Sequence, residues 1–228
     1  HGIAISGPNS RKLLSRICRD NVSTEALKFR DTRETFVGGV PAILNRISFS
    51  GELGYEIYVA PQFHLKLFEE IEANGKDLGL KLYGSRALMS LRLEKNWGVW
   101  TLDFRPDFTA AESGLDNFIN WNKDFIGKKA SLDEKKQGAK KKLVTMTIDT
   151  KDIDVTNDEA ILKDNKCIGY ITSGGYAHHI KKSMALGYVP AELSKHDTIL
   201  DVEINGKFYA AHVTDKPLYD ANGGKMKS

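Results

Sequence analysis

The chain has 228 residues, of which 41% are hydrophobic and 28% charged, with a net charge of +3. That is enough chain to bury a substantial core and to hold more than one folding unit, and the small charge excludes the strongly basic surface of a general nucleic-acid binder. No apolar run approaches the roughly 20 residues needed to cross a bilayer. Cys18 and Cys167 are too few and too far apart for a disulfide framework or a cysteine-based metal site. With no signal peptide at the start, the expected location is cytoplasmic.

The chain opens on an apolar strand, Ile3–Ser6, with no methionine ahead of it. We read it as the C-terminal part of a longer protein. Gly7-Pro8 ends the strand. Asn9 or Ser10 then caps a helix carrying Leu13, Leu14 and Ile17 at helical spacing. Thr32–Val37 and Val40–Phe49 read as strands joined by a Gly38-Gly39 hairpin turn. Pro61 precedes a helix over 63–74, Leu80-Lys81-Leu82-Tyr83 reads as a short strand, and Gly84-Ser85 opens a third helix over 86–95. Helices on one face of an antiparallel sheet make an α+β, ferredoxin-like domain.

Between those elements lies the most informative stretch, Ser50-Gly51-Glu52-Leu53-Gly54-Tyr55-Glu56-Ile57-Tyr58-Val59. It reads as a glycine turn feeding a strand. Ile57 and Val59 must face a core, so Glu56 and Tyr58 share the opposite face by period-two alternation. A carboxylate beside a tyrosine can receive a ligand with adjacent N–H donors. The alternative is an ordinary hairpin with a solvated acid.

Residues 96 to 135 are aromatic and aperiodic, with Trp97, Trp100, Phe104, Phe108, Phe118, Trp121 and Phe125. Such a segment wraps over a neighbouring domain or lines a cleft. Glu134–Lys142 reads as a solvated linker and, lacking interleaved aromatics, not as a nucleic-acid patch. From residue 143 onward come six short strands: 143–148, 160–163, 167–172, 184–189, 199–204 and 207–213. Asp164-Asn165, Gly174-Gly175 and Asn205-Gly206 supply turns, and a small antiparallel barrel follows. His178 and His179 point to opposite faces if they lie on a strand, and no third ligand is near, so no metal site is expected.

Several segments together resemble one family. Ser50–Ile57 resembles the T-G-E-x-G-[YFV]-E-I signature of the aminomethyltransferases, the T-protein of the glycine cleavage system and its relatives. Ser85–Lys95 looks like that family's A-R-D-S-L-R-L-E-x-G segment. Glu112-Ser113-Gly114-Leu115-Asp116, Trp121 and Lys123–Lys128 resemble its E-x-G-L … K-x-D-F-I-G-[KR] stretch, and Gly169–Gly175 with Ala185–Val189 its C-terminal barrel. Ile5–Pro8, the region from Trp97 to Arg105 and the ending Lys216–Asp220 are most similar to the folate-binding half of dimethylglycine and sarcosine dehydrogenases, and to dimethylsulfoniopropionate demethylases.

The resemblance implies a three-domain cloverleaf around bound tetrahydrofolate, with most of the N-terminal domain missing. Residues 1–95 would be the ferredoxin-like folate-binding domain. Residues 96–139 would complete the first domain, and 140–228 would form the C-terminal β-barrel. It implies a tetrahydrofolate-dependent one-carbon transferase acting on a small methylated amine or sulfonium, with an N-terminal polypeptide or domain as partner and no nucleic acid or membrane. Glu56 would hydrogen-bond the pterin, with Tyr58 contacting the same ligand. Arg86 would meet the folate or orient its acid, the alternative being a helix-surface ion pair. Trp121 would stack near the p-aminobenzoyl ring, the alternative being core packing. No catalytic residue is expected here, because the family's aspartate would lie before residue 1.

Two departures stand out. Ser50 replaces the family threonine, and Phe49 replaces a frequent tyrosine. No dinucleotide fingerprint is present, so any flavin domain of a dehydrogenase would precede this chain. A third reading, a folate-binding module without transfer activity like the iron–sulfur assembly proteins, expects a K-G-C-Y-x-G-Q-E motif that neither cysteine matches.

Overall fold

The computed structural model describes residues 1–228. The chain divides into two compact units: His1–Lys95 with Asp220–Ser228, and Asn96–Tyr219.

The first unit is one antiparallel sheet with helices on a single face. Strands β1 (Gly2–Ser6), β2 (Thr32–Val37), β3 (Val40–Asn45) and β4 (Gly54–Tyr58) lie in the order β1-β4-β3-β2. Alternation decides which residues go in. Ile5, Val37, Leu44, Tyr55 and Ile57 are buried against Leu13 and Leu14 of α1 (Ser10–Ile17) and Leu67 and Ile71 of α2 (His64–Gly75). Asn9 holds the N-cap position of α1, but its amide donates to Leu78 O at 3.0 Å instead of capping the helix.

Three local expectations for this unit change. Leu80–Tyr83 is irregular, not a strand, and Leu82 is 73% exposed. The element order is therefore β-α-β-β-β-α-α. The strand expected over Val40–Phe49 stops at Asn45, where the chain leaves the ladder for the loop ahead of β4. The third helix, α3, runs Ser85–Leu93.

The C-terminal residues close this unit. The guanidinium of Arg46 is fully buried and donates to Leu27 O at 2.8 Å, Lys227 O at 2.8 Å and Ser228 O at 2.7 Å. Lys95, also buried, donates to Asp220 O and lies 3.7 Å from its carboxylate. Carbonyl groups thus receive the hydrogen bonds that a buried cation needs.

The second unit is a closed six-stranded barrel preceded by the aromatic segment. Strands β5 (Lys141–Ile148), β6 (Ala160–Lys163), β7 (Lys166–Ala177), β8 (Lys182–Pro190), β9 (Ile199–Ile204) and β10 (Lys207–Thr214) close in the order β10-β5-β8-β7-β6-β9. Every pairing is antiparallel. Met146, Ile161, Ile171, Val202, Ala211 and Val213 fill the interior. Gly174 and Gly175 lie inside the long strand β7, not in a turn. The expected linker is instead a helix, α4 (Lys128–Gln137), bounded by Gly127 and Gly138 with positive φ. A short α5 (Gly224–Lys227) ends the chain. No helix is long and apolar enough to cross a membrane.

Within the second unit a carboxylate organises the aromatic segment. Asp103 is fully buried and accepts hydrogen bonds from Val99 N at 2.8 Å, Thr172 Oγ1 at 2.5 Å and Ser173 Oγ at 2.7 Å. Its carbonyl accepts from Tyr188 Oη at 3.0 Å, and Phe108 stacks on the Tyr188 ring at 3.4 Å. Burial pushes the Tyr188 hydroxyl up to about 12.

Candidate functional site

The loop from Arg46 to Leu53 sets the start of β4. Gly51 adopts φ +84°, and a Cβ there would fall 2.7 Å from Lys95 Cγ and Cδ. Gly54 is needed for space and not for a left-handed backbone, since a Cβ there would meet Ile47 O at 2.9 Å. Ser50 is buried; its hydroxyl bonds that of Ser6 and accepts Glu52 N at 3.3 Å. A small hydroxyl residue here staples the loop to β1. Glu52 turns toward the C-terminal residues, 3.7 Å from Lys225 Nζ.

Beyond the loop, Tyr55, Ile57 and Val59 are buried, so Glu56 and Tyr58 project from the face without helices. The sequence reading of this face holds. The Tyr58 hydroxyl donates to Glu56 Oε2 at 2.6 Å. Ionising the phenol would break that bond and set two anions together, which raises the Tyr58 pKa above its ordinary value. The bond occupies one oxygen of Glu56 and leaves Oε1 available as an acceptor.

Strand register fixes the neighbours. Glu56 stands between Ala4 of β1 and Asn45 of β3, and Tyr58 between Gly2 and Ile43. Directly opposed residues on one face have their Cβ atoms about 5 Å apart. A shallow cavity of about 570 Å³ on the same sheet is lined by Arg19, Phe36, Ile43 and Tyr58, with the Arg19 guanidinium 4.5 Å above the Phe36 ring. The face therefore offers an anionic acceptor with an apolar and aromatic floor beside it.

Arg86 is the second residue of α3 and is exposed. At that position its guanidinium is open to solvent and to a ligand alike. A cation in the first helical turn also opposes the helix dipole, so local helix stability does not explain it. Trp121 belongs to the second unit. It is half-buried beside Phe125, with Lys135 Nζ 4.6 Å from its ring centroid, at a cavity of about 180 Å³. His178 and His179 follow β7, against Tyr176 and Tyr219 respectively.

Asn45 was not singled out from sequence. Its only local signal is a polar residue continuing the exposed positions Pro41 and Ile43 of β3. Placing it against Glu56 requires the β3–β4 register.

Comparison with known proteins adds an independent line. The GCVT N-terminal domain matches residues 1–123, and the glycine cleavage T-protein C-terminal barrel domain matches residues 141–220. The chain is 37% identical over 218 residues to the mitochondrial dimethylglycine dehydrogenase of Homo sapiens, covering 95% of this chain and 25% of that protein. It is 32% identical over 219 residues to the aminomethyltransferase of Natranaerobius thermophilus, covering 95% and 60%. It is 32% identical over 229 residues to the formaldehyde-forming 4-methylaminobutanoate oxidase of Paenarthrobacter nicotinovorans, covering 99% and 27%. The chain thus spans between a quarter and three-fifths of the length of these relatives. Its fold matches the crystal structure of glycine cleavage system aminomethyltransferase T from Bartonella henselae with a TM-score of 0.85 at 24% identity, over 96% of this chain and 60% of that one.

Proposed function

Because this chain belongs to the glycine cleavage T-protein family, we propose that it carries the pterin-binding face of a tetrahydrofolate-dependent one-carbon transferase. The carrying observation is Glu56, an outward carboxylate whose Oε2 accepts from Tyr58 and keeps a second lone pair, and whose Oε1 is available. A 2-amino-4-oxopyrimidine edge presents two nearly parallel N–H groups, and an ionised carboxylate accepts both in charge-assisted bonds. Tyr58 fixes the carboxylate rotamer, so little side-chain freedom is lost on binding. Arg86 is proposed as a cation for folate oxygens. Trp121 is proposed as an aromatic contact for the benzoyl ring, read separately through its own fluorescence.

Tetrahydrofolate would supply the N5 atom that receives the one-carbon group. These 228 residues would orient the pterin and hold it. The family's catalytic aspartate and the donor contacts have no counterpart assigned among them, so turnover would need a further domain or polypeptide.

A second reading keeps the same site within a flavin-linked dehydrogenase of methylated amines. It is favoured by the 37% identity to dimethylglycine dehydrogenase against 32% to aminomethyltransferases. A flavin absorbance spectrum of the intact gene product separates the two readings.

The test of the shared reading is calorimetric titration of tetrahydrofolate into the protein and its Glu56→Gln variant. Losing a charge-assisted hydrogen-bonded pair should weaken binding by about 1.5–3 kcal/mol. Equal affinities would overturn the assignment. Quenching of indole emission that disappears in Trp121→Phe would support the aromatic contact, and quenching that persists would refute it.

A further inference from the structure

On the face that carries Glu56, one polar atom is buried without a partner. The side-chain oxygen Oδ1 of Asn45 is shielded from solvent and accepts no hydrogen bond. Leaving such a group unpaired costs roughly 1–3 kcal/mol. Satisfaction by a protein group is the rule, so an exception calls for a reason. Asn45 is the register partner of Glu56, and the two side chains rise from the same face of adjacent strands.

Pterin chemistry offers a reason. A carboxylate that pairs with the ring N–H and one hydrogen of the exocyclic 2-amino group leaves the second amino hydrogen unused. That hydrogen points away from the carboxylate and needs its own acceptor. We propose that Asn45 is a ligand-binding residue of this site, its amide oxygen accepting the second hydrogen of the 2-amino group while Glu56 takes the paired donors. Asn45 then discriminates pterins from pteridines that lack the amino group. This rests on the pterin-binding reading of Glu56 and deepens it.

A structural role and a ligand role for Asn45 make opposite predictions. Replacing an unsatisfied buried amide by a group of similar shape leaves stability equal or raises it, whereas loss of a structural hydrogen bond lowers it. The experiment compares the protein with its Asn45→Leu and Asn45→Asp variants by thermal melting. Calorimetry then measures each against tetrahydrofolate and against the corresponding pteridine without the 2-amino group. We expect Asn45→Leu to melt at the same or a higher temperature and to bind tetrahydrofolate at least tenfold more weakly. Its affinity for the desamino compound should be unchanged. Asn45→Asp, which restores an acceptor, should recover tetrahydrofolate binding relative to Asn45→Leu. If the protein binds tetrahydrofolate and Asn45→Leu binds it equally well, the role of Asn45 is overturned and that of Glu56 stands. If Asn45→Leu melts lower and loses both ligands alike, Asn45 is structural. If the unsubstituted protein binds neither compound, the pterin reading itself falls and this inference with it.

Discussion

The ring of Tyr58 lies against the backbone of Gly2, its partner across the β1–β4 ladder: a Cβ on Gly2 would sit 3.0 Å from Tyr58 Cε1 and 3.2 Å from Cδ1. The missing side chain lets the ring lie close to β1 while its hydroxyl reaches Glu56. Gly2→Ala should displace the ring by a few tenths of an ångström, and Gly2→Val should push it off. We expect Gly2→Val to break the Tyr58–Glu56 bond at a stability cost of about 1 kcal/mol, at the low end for overpacking. NMR of the Tyr58 ring and chemical denaturation report the two effects. A Tyr58 resonance that does not move in Gly2→Val would show that the ring is placed by other contacts.

The Tyr58 phenol also reports on Glu56. Its pKa is raised because the neutral phenol donates to a carboxylate and the phenolate would be repelled by it. Glu56→Gln removes the charge and weakens the acceptor. The Tyr58 midpoint should therefore fall toward the ordinary value of about 10. An NMR titration of the ring protons measures it, and a midpoint the same in both proteins would contradict the bond.

Tyr188 makes a pH prediction in the second unit. Its hydroxyl is pushed up to about 12 by burial, against about 10 in an unfolded chain. A folded pKa above the unfolded one favours the protonated folded state. The contribution is complete below pH 10, declines from pH 10 and is gone above pH 12. Two pKa units correspond to roughly 2–3 kcal/mol. Tyr188→Phe should be destabilised at pH 8 by about 1–3 kcal/mol, because the Asp103 carbonyl loses its donor and Ser113 a partner. The same variant should lose less stability than the parent between pH 10 and 12. Parallel pH profiles for the two proteins would contradict the buried hydroxyl.

Arg46 tests the closure of the first unit. Arg46→Met keeps the volume but leaves the carbonyls of Leu27, Lys227 and Ser228 without their donor. We expect residues 220–228 to become susceptible to limited proteolysis and the unit to lose about 1–3 kcal/mol, the cost of leaving a buried acceptor without its donor. Unaltered cleavage of the C-terminal residues would mean that Lys95 and Asp220 hold them alone.

Much of the fold was legible because the signals were local. Alternation in Leu143–Ile148 and Ile199–Ile204, with turn residues between strands, marked the barrel, and period two placed Glu56 and Tyr58 on one face of β4. The misses have physical causes. Leu80-Lys81-Leu82-Tyr83 alternates like a strand, but alternation cannot say whether a partner strand is there to receive it. Helix α4 has no apolar stripe, so periodicity was silent. Its signal lay in propensity, a Lys-Lys-Ala-Ser-Leu-Asp-Glu-Lys-Lys-Gln run between two glycines. Asn45 was invisible for a third reason. Its meaning depends on which residue stands across the ladder, and strand register is a long-range property.

The Arg46 clasp also bears on the order in which the chain folds. The first unit is interrupted: 124 residues, Asn96–Tyr219, separate its main part from its final nine. Within this sequence the sheet precedes the barrel, but the Lys227 and Ser228 carbonyls that receive Arg46 follow it. The barrel is continuous in sequence and can close before then, which reverses the usual rule that the earlier segment matures first. Until those carbonyls are present, Arg46 has only Leu27 O as an acceptor, and the sheet lacks two of the hydrogen bonds that hold its buried guanidinium.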